Sequence, residues 1–199
     1  MKRTFICIVL LLGCILSNAQ EKTRKTQFAI MGGLTSSVAS VKEVTTENIN
    51  QYHVGIAAKF PVASFFAVQP GLQYAVKGVK LSEFEGKLNA NLSTGFIELP
   101  VQLQFGWDFK VVRPYVFAEP FLGYAVSNKI NGEDTWNNIA SKFEYGVGAG
   151  IGLDLFNHVQ LSARYFWNLG DLYGFSWQSF TTVVNSKCNG ISATVAILF

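Results

Sequence analysis

The chain has 199 residues, 49% of them apolar and only 15% charged, with 18 Gly and 17 Phe. A soluble domain carries roughly 25% charged residues, so this chain has too few to cover a water-facing surface. Its composition excludes disorder and argues against a nucleic-acid partner, and its length suits one domain or one closed membrane barrel.

Met1, Lys2 and Arg3 precede an apolar run from Phe5 to Leu16 and then Ser17, Asn18 and Ala19. This is the pattern of a secretory signal peptide over 1–19, cleaved after Ala19 and too short to span a bilayer. Leu11-Leu12-Gly13-Cys14 also resembles a lipoprotein box, which would make Cys14 a lipidated first residue, although Leu12 stands where a small residue is usual. Without Lys2 and Arg3 the basic count falls from 16 to 14 against 13 acidic residues, a net charge of +1 that implies no anionic partner. Cys188 alone remains after cleavage, so no internal disulfide and no cysteine-rich zinc site is expected.

After a short lead at 20–25, two-residue alternation recurs eight times, and no run is long enough for a spanning helix. The segment 26–36 is small and Gly-rich. Tyr52, Val54, Ile56, Ala58 and Phe60 oppose His53, Gly55, Ala57 and Lys59; Phe66, Val68, Pro70, Leu72, Tyr74 and Val76 oppose Gln69, Gly71 and Gln73. Ile97, Leu99, Val101, Leu103 and Phe105 oppose Glu98, Pro100, Gln102 and Gln104. Over 114–127 both faces are apolar, with Val116, Ala118, Pro120, Leu122 and Tyr124 on one side and Tyr115, Phe117, Glu119, Phe121 and Gly123 on the other. Phe143, Tyr145, Val147, Ala149, Ile151, Leu153 and Leu155 oppose Glu144, four glycines and Asp154. Val159, Leu161, Ala163, Tyr165 and Trp167 oppose Gln160, Ser162, Arg164 and Asn168, and 190–199 closes the series.

The connections alternate long and short: 37–50, 61–64, 78–92, 106–113, 128–141, 157–158 and 170–189. That rhythm predicts an all-β fold, an eight-stranded antiparallel up-and-down transmembrane β-barrel over 26–199, in the outer membrane of a gram-negative bacterium with both termini periplasmic. Outer-membrane lipids would contact the apolar faces. Trp107, Phe109 and Phe105 near one rim, and Tyr74, Tyr124, Tyr165 and Trp167 near the other, fit interfacial girdles. A soluble lipocalin-type barrel would turn the apolar faces inward, leaving Gly, Ala, Ser and Gln to meet water.

The runs Gln69-Pro70-Gly71-Leu72-Gln73-Tyr74 with Lys77-Gly78, Ile97-Glu98-Leu99-Pro100, Arg113-Pro114-Tyr115, the Gly146-to-Gly152 alternation, Ala163-Arg164-Tyr165 and terminal Phe199 together resemble the PorT-like outer-membrane barrels, related in architecture to the OmpX and OmpA barrels. The resemblance covers 26–199 and implies outer-membrane location. Its members usually carry a carboxylate at the position of Gly71, so a lumen pair using that position is missing here. A final aromatic such as Phe199 looks like the signal read by the barrel-assembly machinery.

Lys59, Glu98, Glu119, Glu144, Asp154 and Arg164 are the expected inward charges, and burial requires them to pair, with Arg164 and Glu144 the expected partners. Such pairing would plug the lumen; a gated ion or proton path is the alternative. The glycines at 146, 148, 150 and 152 belong to a strand and form no phosphate loop. His158 reads as a solvated turn residue. His53, with Glu47 or Ser82 in reach, is the weak basis for a hydrolase, so no enzyme, cofactor or metal is expected. Tyr173, Phe175, Trp177 and Phe180 crowd the last long loop, with Leu172 beside them. They either fold onto the barrel mouth or form a patch for a protein, glycan or lipid partner. Lys129, Glu133, Asp134 and Trp136 of 128–141 could join that surface. The expected role is structural or interaction-based, with a narrow channel or an accessory of transport or secretion as the rival.

Overall fold

A computed structural model describes residues 25–40, 46–47, 49–81, 90–109, 111–130, 133–134, 142–170 and 187–199. Residues 1–24 with Cys14, and Ser82, Trp136, Leu172, Tyr173, Phe175, Trp177 and Phe180, lie outside these residues. Eight long strands follow one another: β1 (Gln27–Ser40), β2 (Ile49–Pro61), β3 (Phe66–Leu81), β4 (Ala90–Gly106), β5 (Val112–Ile130), β6 (Phe143–Leu155), β7 (Val159–Asn168) and β8 (Lys187–Leu198). Each pairs antiparallel with the next, and β8 pairs with β1 from Ala29↔Leu198 to Ser40↔Lys187, so the sheet closes. At the end of this seam Phe28 and Phe199 exchange two backbone hydrogen bonds of 3.2 and 2.8 Å. Two-residue strands at Thr46–Glu47 and Glu133–Asp134 extend the pairing of β3 and β5 at the far rim.

Followed around the circuit, Phe60 lies level with Val68, Leu103, Ala118, Ala149, Tyr165, Ile191 and Ser36, whereas on its other side Lys59 faces Gln27. The register thus returns to β1 about ten residues out of step, a stagger that tilts eight strands by about 40°. Along β2, Phe60 and Tyr52 are then separated by roughly 20 Å of barrel height, close to the apolar band of an outer-membrane barrel.

The faces fall as the alternation predicts. Ile30, Leu34, Val54, Ile56, Leu99, Ile151, Val195 and Ile197 point outward and are exposed, while Lys59, Glu98, Gln104, Glu144 and Arg164 are buried inside. The barrel is therefore apolar outside and polar inside, the reverse of a lipocalin-type arrangement. Phe105, Trp107, Phe109 and Phe199 are exposed at the end with short turns, and Tyr52, Tyr124, Tyr165 and Trp167 at the other.

The strands run further than the apolar alternation does. Residues 37–40, 49–50, 78–81, 90–92, 128–130 and 187–189, expected in long connections, are paired strand. Past the Tyr52 and Tyr124 level the strict apolar alternation ends, although backbone pairing continues. Lys129 is accordingly an exposed strand residue opposite Ser93. A bulge near Val126, where Phe96 faces Ala125 but Gly95 faces Ser127, switches the inward parity of β5 and turns Asn128 inside. At the opposite end Phe156 (φ 54°) and Asn157 (φ 59°) make the two-residue left-handed turn joining β6 to β7.

The double apolarity of β5 has a steric explanation on β6. Tyr115, Phe117 and Phe121 point into the barrel directly opposite Gly152, Gly150 and Gly146. A Cβ at Gly150 would lie 2.6 Å from the Phe117 ring, and at Gly152 2.2 Å from the Tyr115 ring. Each ring lies across a neighbour that has no side chain. The same device recurs at Phe166 over Gly190 and His53 over Gly33. Gly150→Val should therefore lower stability by about 2 kcal/mol in urea unfolding from micelles, since an added side chain meets both the Phe117 ring and the Ala163 carbonyl. Gly32→Ala, whose Cβ meets only the His53 carbonyl at 3.6 Å, should be neutral or slightly stabilising in the same assay.

Candidate functional site

Eight strands leave an interior only wide enough for side chains, so inward ions at one level of the barrel are close to one another. The lumen buries Lys59, Lys77, Arg113 and Arg164 together with Glu98, Glu119, Glu144 and Asp154. Four cations thus face four carboxylates among the described residues, and the group is neutral as a whole. The arrangement resolves into two clusters separated by a belt of glutamines.

The cluster nearer the short turns is built on Asp154. Its carboxylate takes Lys59 from β2, Arg113 from β5 at 3.1 Å and the Gln160 amide from β7 at 2.8 Å. Arg113 also donates to Gln104 Oε1 at 3.2 Å. Gln104 donates to Gln69 at 2.9 Å and Gln102 at 3.0 Å, and Gln69 and Gln160 bond reciprocally at 2.9 and 3.2 Å. Side-chain amides suit this level because each is both donor and acceptor and adds no charge. A cavity of about 20 Å³, room for about one water, remains beside Gln69, Gln73, Gln102, Glu119, Ser162 and Arg164.

The second cluster lies toward the long connections. Arg164 is paired with Glu119, lies 3.9 Å from Glu98 and donates from Nε to Ser192 at 2.8 Å. Lys77 bridges Glu98 at 2.6 Å and Glu144 at 2.8 Å. Gln73 donates to Glu98 at 2.7 Å, and Asn168 to Glu144 at 2.7 Å. The expected partnership of Arg164 with Glu144 is therefore corrected. Arg164 faces Gly150 on β6, six residues from Glu144, and its guanidinium is taken by Glu119 of β5, while Glu144 is taken by Lys77.

The six expected inward charges all lie in these clusters. Alternation does not mark Lys77 or Arg113 as inward, although Lys77 shares the parity of Gln69 and Gln73, and Arg113 that of Glu119; the first stands at a predicted strand end and the second closes the connection 106–113. His53, expected within reach of Glu47 or Ser82, lies inside the barrel. It is buried between Thr35 Oγ1, 3.0 Å from Nδ1, and Thr194 Oγ1, 2.9 Å from Nε2. Hydroxyls thus stand at both ring nitrogens, and the position where a triad carboxylate would orient the ring is taken by a threonine. His158 is an exposed turn residue with Nδ1 2.7 Å from the Phe156 carbonyl oxygen. Phe199 points outward at the seam.

Removing one member of a buried pair strands the other. Arg164→Met should lower unfolding free energy by about 3–5 kcal/mol, and the double variant Arg164→Met, Glu119→Leu should recover more than half of it, as a double-mutant cycle in urea would read.

Comparison with known proteins agrees with this architecture. The family model described as outer membrane protein beta-barrel domain matches residues 18–174. The fold is similar to that of Neisserial surface protein A, at 18% identity and a TM-score of 0.51, covering 90% of this chain and 100% of that one. It is also similar to the outer membrane protein OprG from Pseudomonas aeruginosa, at 14% identity and a TM-score of 0.52, covering 89% and 97%. At such identities the likeness is one of fold. No curated protein matches the chain by sequence.

Proposed function

The chain belongs to the outer membrane protein beta-barrel family, and on that premise we propose a non-enzymatic barrel closed by its own side chains, which anchors its long connections at the cell surface for recognition. The observation that carries this reading is the charge-balanced network of four cations and four carboxylates across the lumen. A hydrated ion would have to displace both clusters and the glutamine belt, and the cavity beside that belt has room for about one water.

The orientation follows from the same reading. The short turns and both termini share one rim and face the periplasm, while the long connections face out. Trp136, Tyr173, Phe175, Trp177 and Phe180 are the recognition residues, for a protein or glycan partner. Phe199 acts as the signal for the barrel-assembly machinery, supported by its place at the seam it closes with Phe28. Within the family, the runs Gln69 to Tyr74 and Ile97 to Pro100 support a PorT-like relationship.

Purified barrel in planar bilayers should pass no unitary current, and reproducible single-channel steps would instead establish the narrow channel or transport accessory. A tag at Phe199 should be inaccessible to antibody on intact cells and become accessible after outer-membrane permeabilisation.

A further inference from the structure

Lys77 carries its ammonium into a setting complete in itself. Two carboxylate oxygens, Glu98 Oε1 and Glu144 Oε1, stand 2.6 and 2.8 Å from Nζ. Three ring faces complete the enclosure, with the centroids of Phe121, Phe166 and Phe96 at 4.6, 4.9 and 5.5 Å. All five of these side chains are buried. The backbone makes room for them: Gly123 lies level with both Glu98 and Glu144, and a Cβ there would come 2.6 Å from Glu144 Oε1.

We propose that this part of the lumen is a binding site for a primary alkylammonium ion, held in the resting protein by the tethered ammonium of Lys77. The ligand class follows from the walls. Lys77 donates a hydrogen bond to Glu144 Oε1 and pairs with Glu98 Oε1, so these walls favour a cation that carries N–H donors, which a quaternary ammonium lacks. Ring faces attract a cation but supply no oxygen, so a hard metal ion would lack most of its ligands. A guanidinium is already placed against the rings: Arg164 lies over Phe166 and Phe121 at 5.5 and 5.8 Å and is held by Glu119 and Ser192. A soluble amine can enter only when the lysine is withdrawn or removed. The assignment does not depend on what the long connections recognise.

Lys77→Ala deletes the equivalent of n-propylammonium and leaves its space and both carboxylates. In lipid vesicles, the midpoint of heat-modifiability should fall by about 10 °C. Barrel refolded with n-propylammonium chloride should regain most of that loss saturably, whereas tetramethylammonium or sodium chloride at equal ionic strength should not restore it. Lys77→Met, which keeps the stem volume without the charge, should be insensitive to the amine. So should the triple variant Lys77→Ala, Glu98→Gln, Glu144→Gln. If Lys77→Ala does not fold unaided, the folded yield against amine concentration is the readout, judged by the same comparisons. An unchanged midpoint in Lys77→Ala, equal recovery with sodium, or amine rescue of the Met or triple variant would overturn the assignment.

Discussion

A backbone amide in hydrocarbon can bond only to another backbone, and the closed ladder of this barrel answers that constraint. The pairing of β1 with β8 is the decisive contact, because every other strand already has a neighbour from the hairpin before or after it. Once the seam forms, strand number and stagger set the diameter, and the diameter sets the lumen. The crowded polar interior thus follows from a requirement on the outer wall.

Inside that fixed diameter, charge and bulk are settled by different means. Charge is settled across the barrel, with Lys59 of β2 reaching Asp154 of β6 and Lys77 of β3 reaching Glu144 of β6. Bulk is settled between neighbours, with a ring on one strand lying over a glycine on the next. Near the short turns the seam is filled differently: Ala29, Met31, Ala57, Ala196 and Leu198 form a small apolar wall there. The described inward charges lie on β2 through β7.

The alternation of period two made the faces legible, because one wrong residue of register would have sent Glu98 or Asp154 into lipid. It also marked the inward set from Lys59 to Arg164. Pairing was not legible, since ions on strands apart in sequence meet only after closure, and nothing local to Arg164 distinguishes Glu119 from Glu144. Strand ends were hidden for another reason. Alternation in hydropathy reports the membrane, not the ladder, so Lys77, Arg113 and Asn128 fell where the first had faded and the second continued. The bulge at Val126 added a change of parity that no propensity announces. The aromatic residues of the last long loop lie outside the described residues, so their arrangement rests on the sequence alone.

The rings that lie over glycines make two positions one unit of inheritance. At Tyr115 and Gly152, where the atoms nearest an added Cβ all belong to the ring, a larger residue on β6 is tolerable only after the ring on β5 has shrunk, and a lost ring leaves a void that a new side chain opposite can fill. Change along β5 and β6 should therefore proceed by compensated exchanges across the strand pair. The outer faces of the same strands, which answer only to lipid, are free to drift one residue at a time.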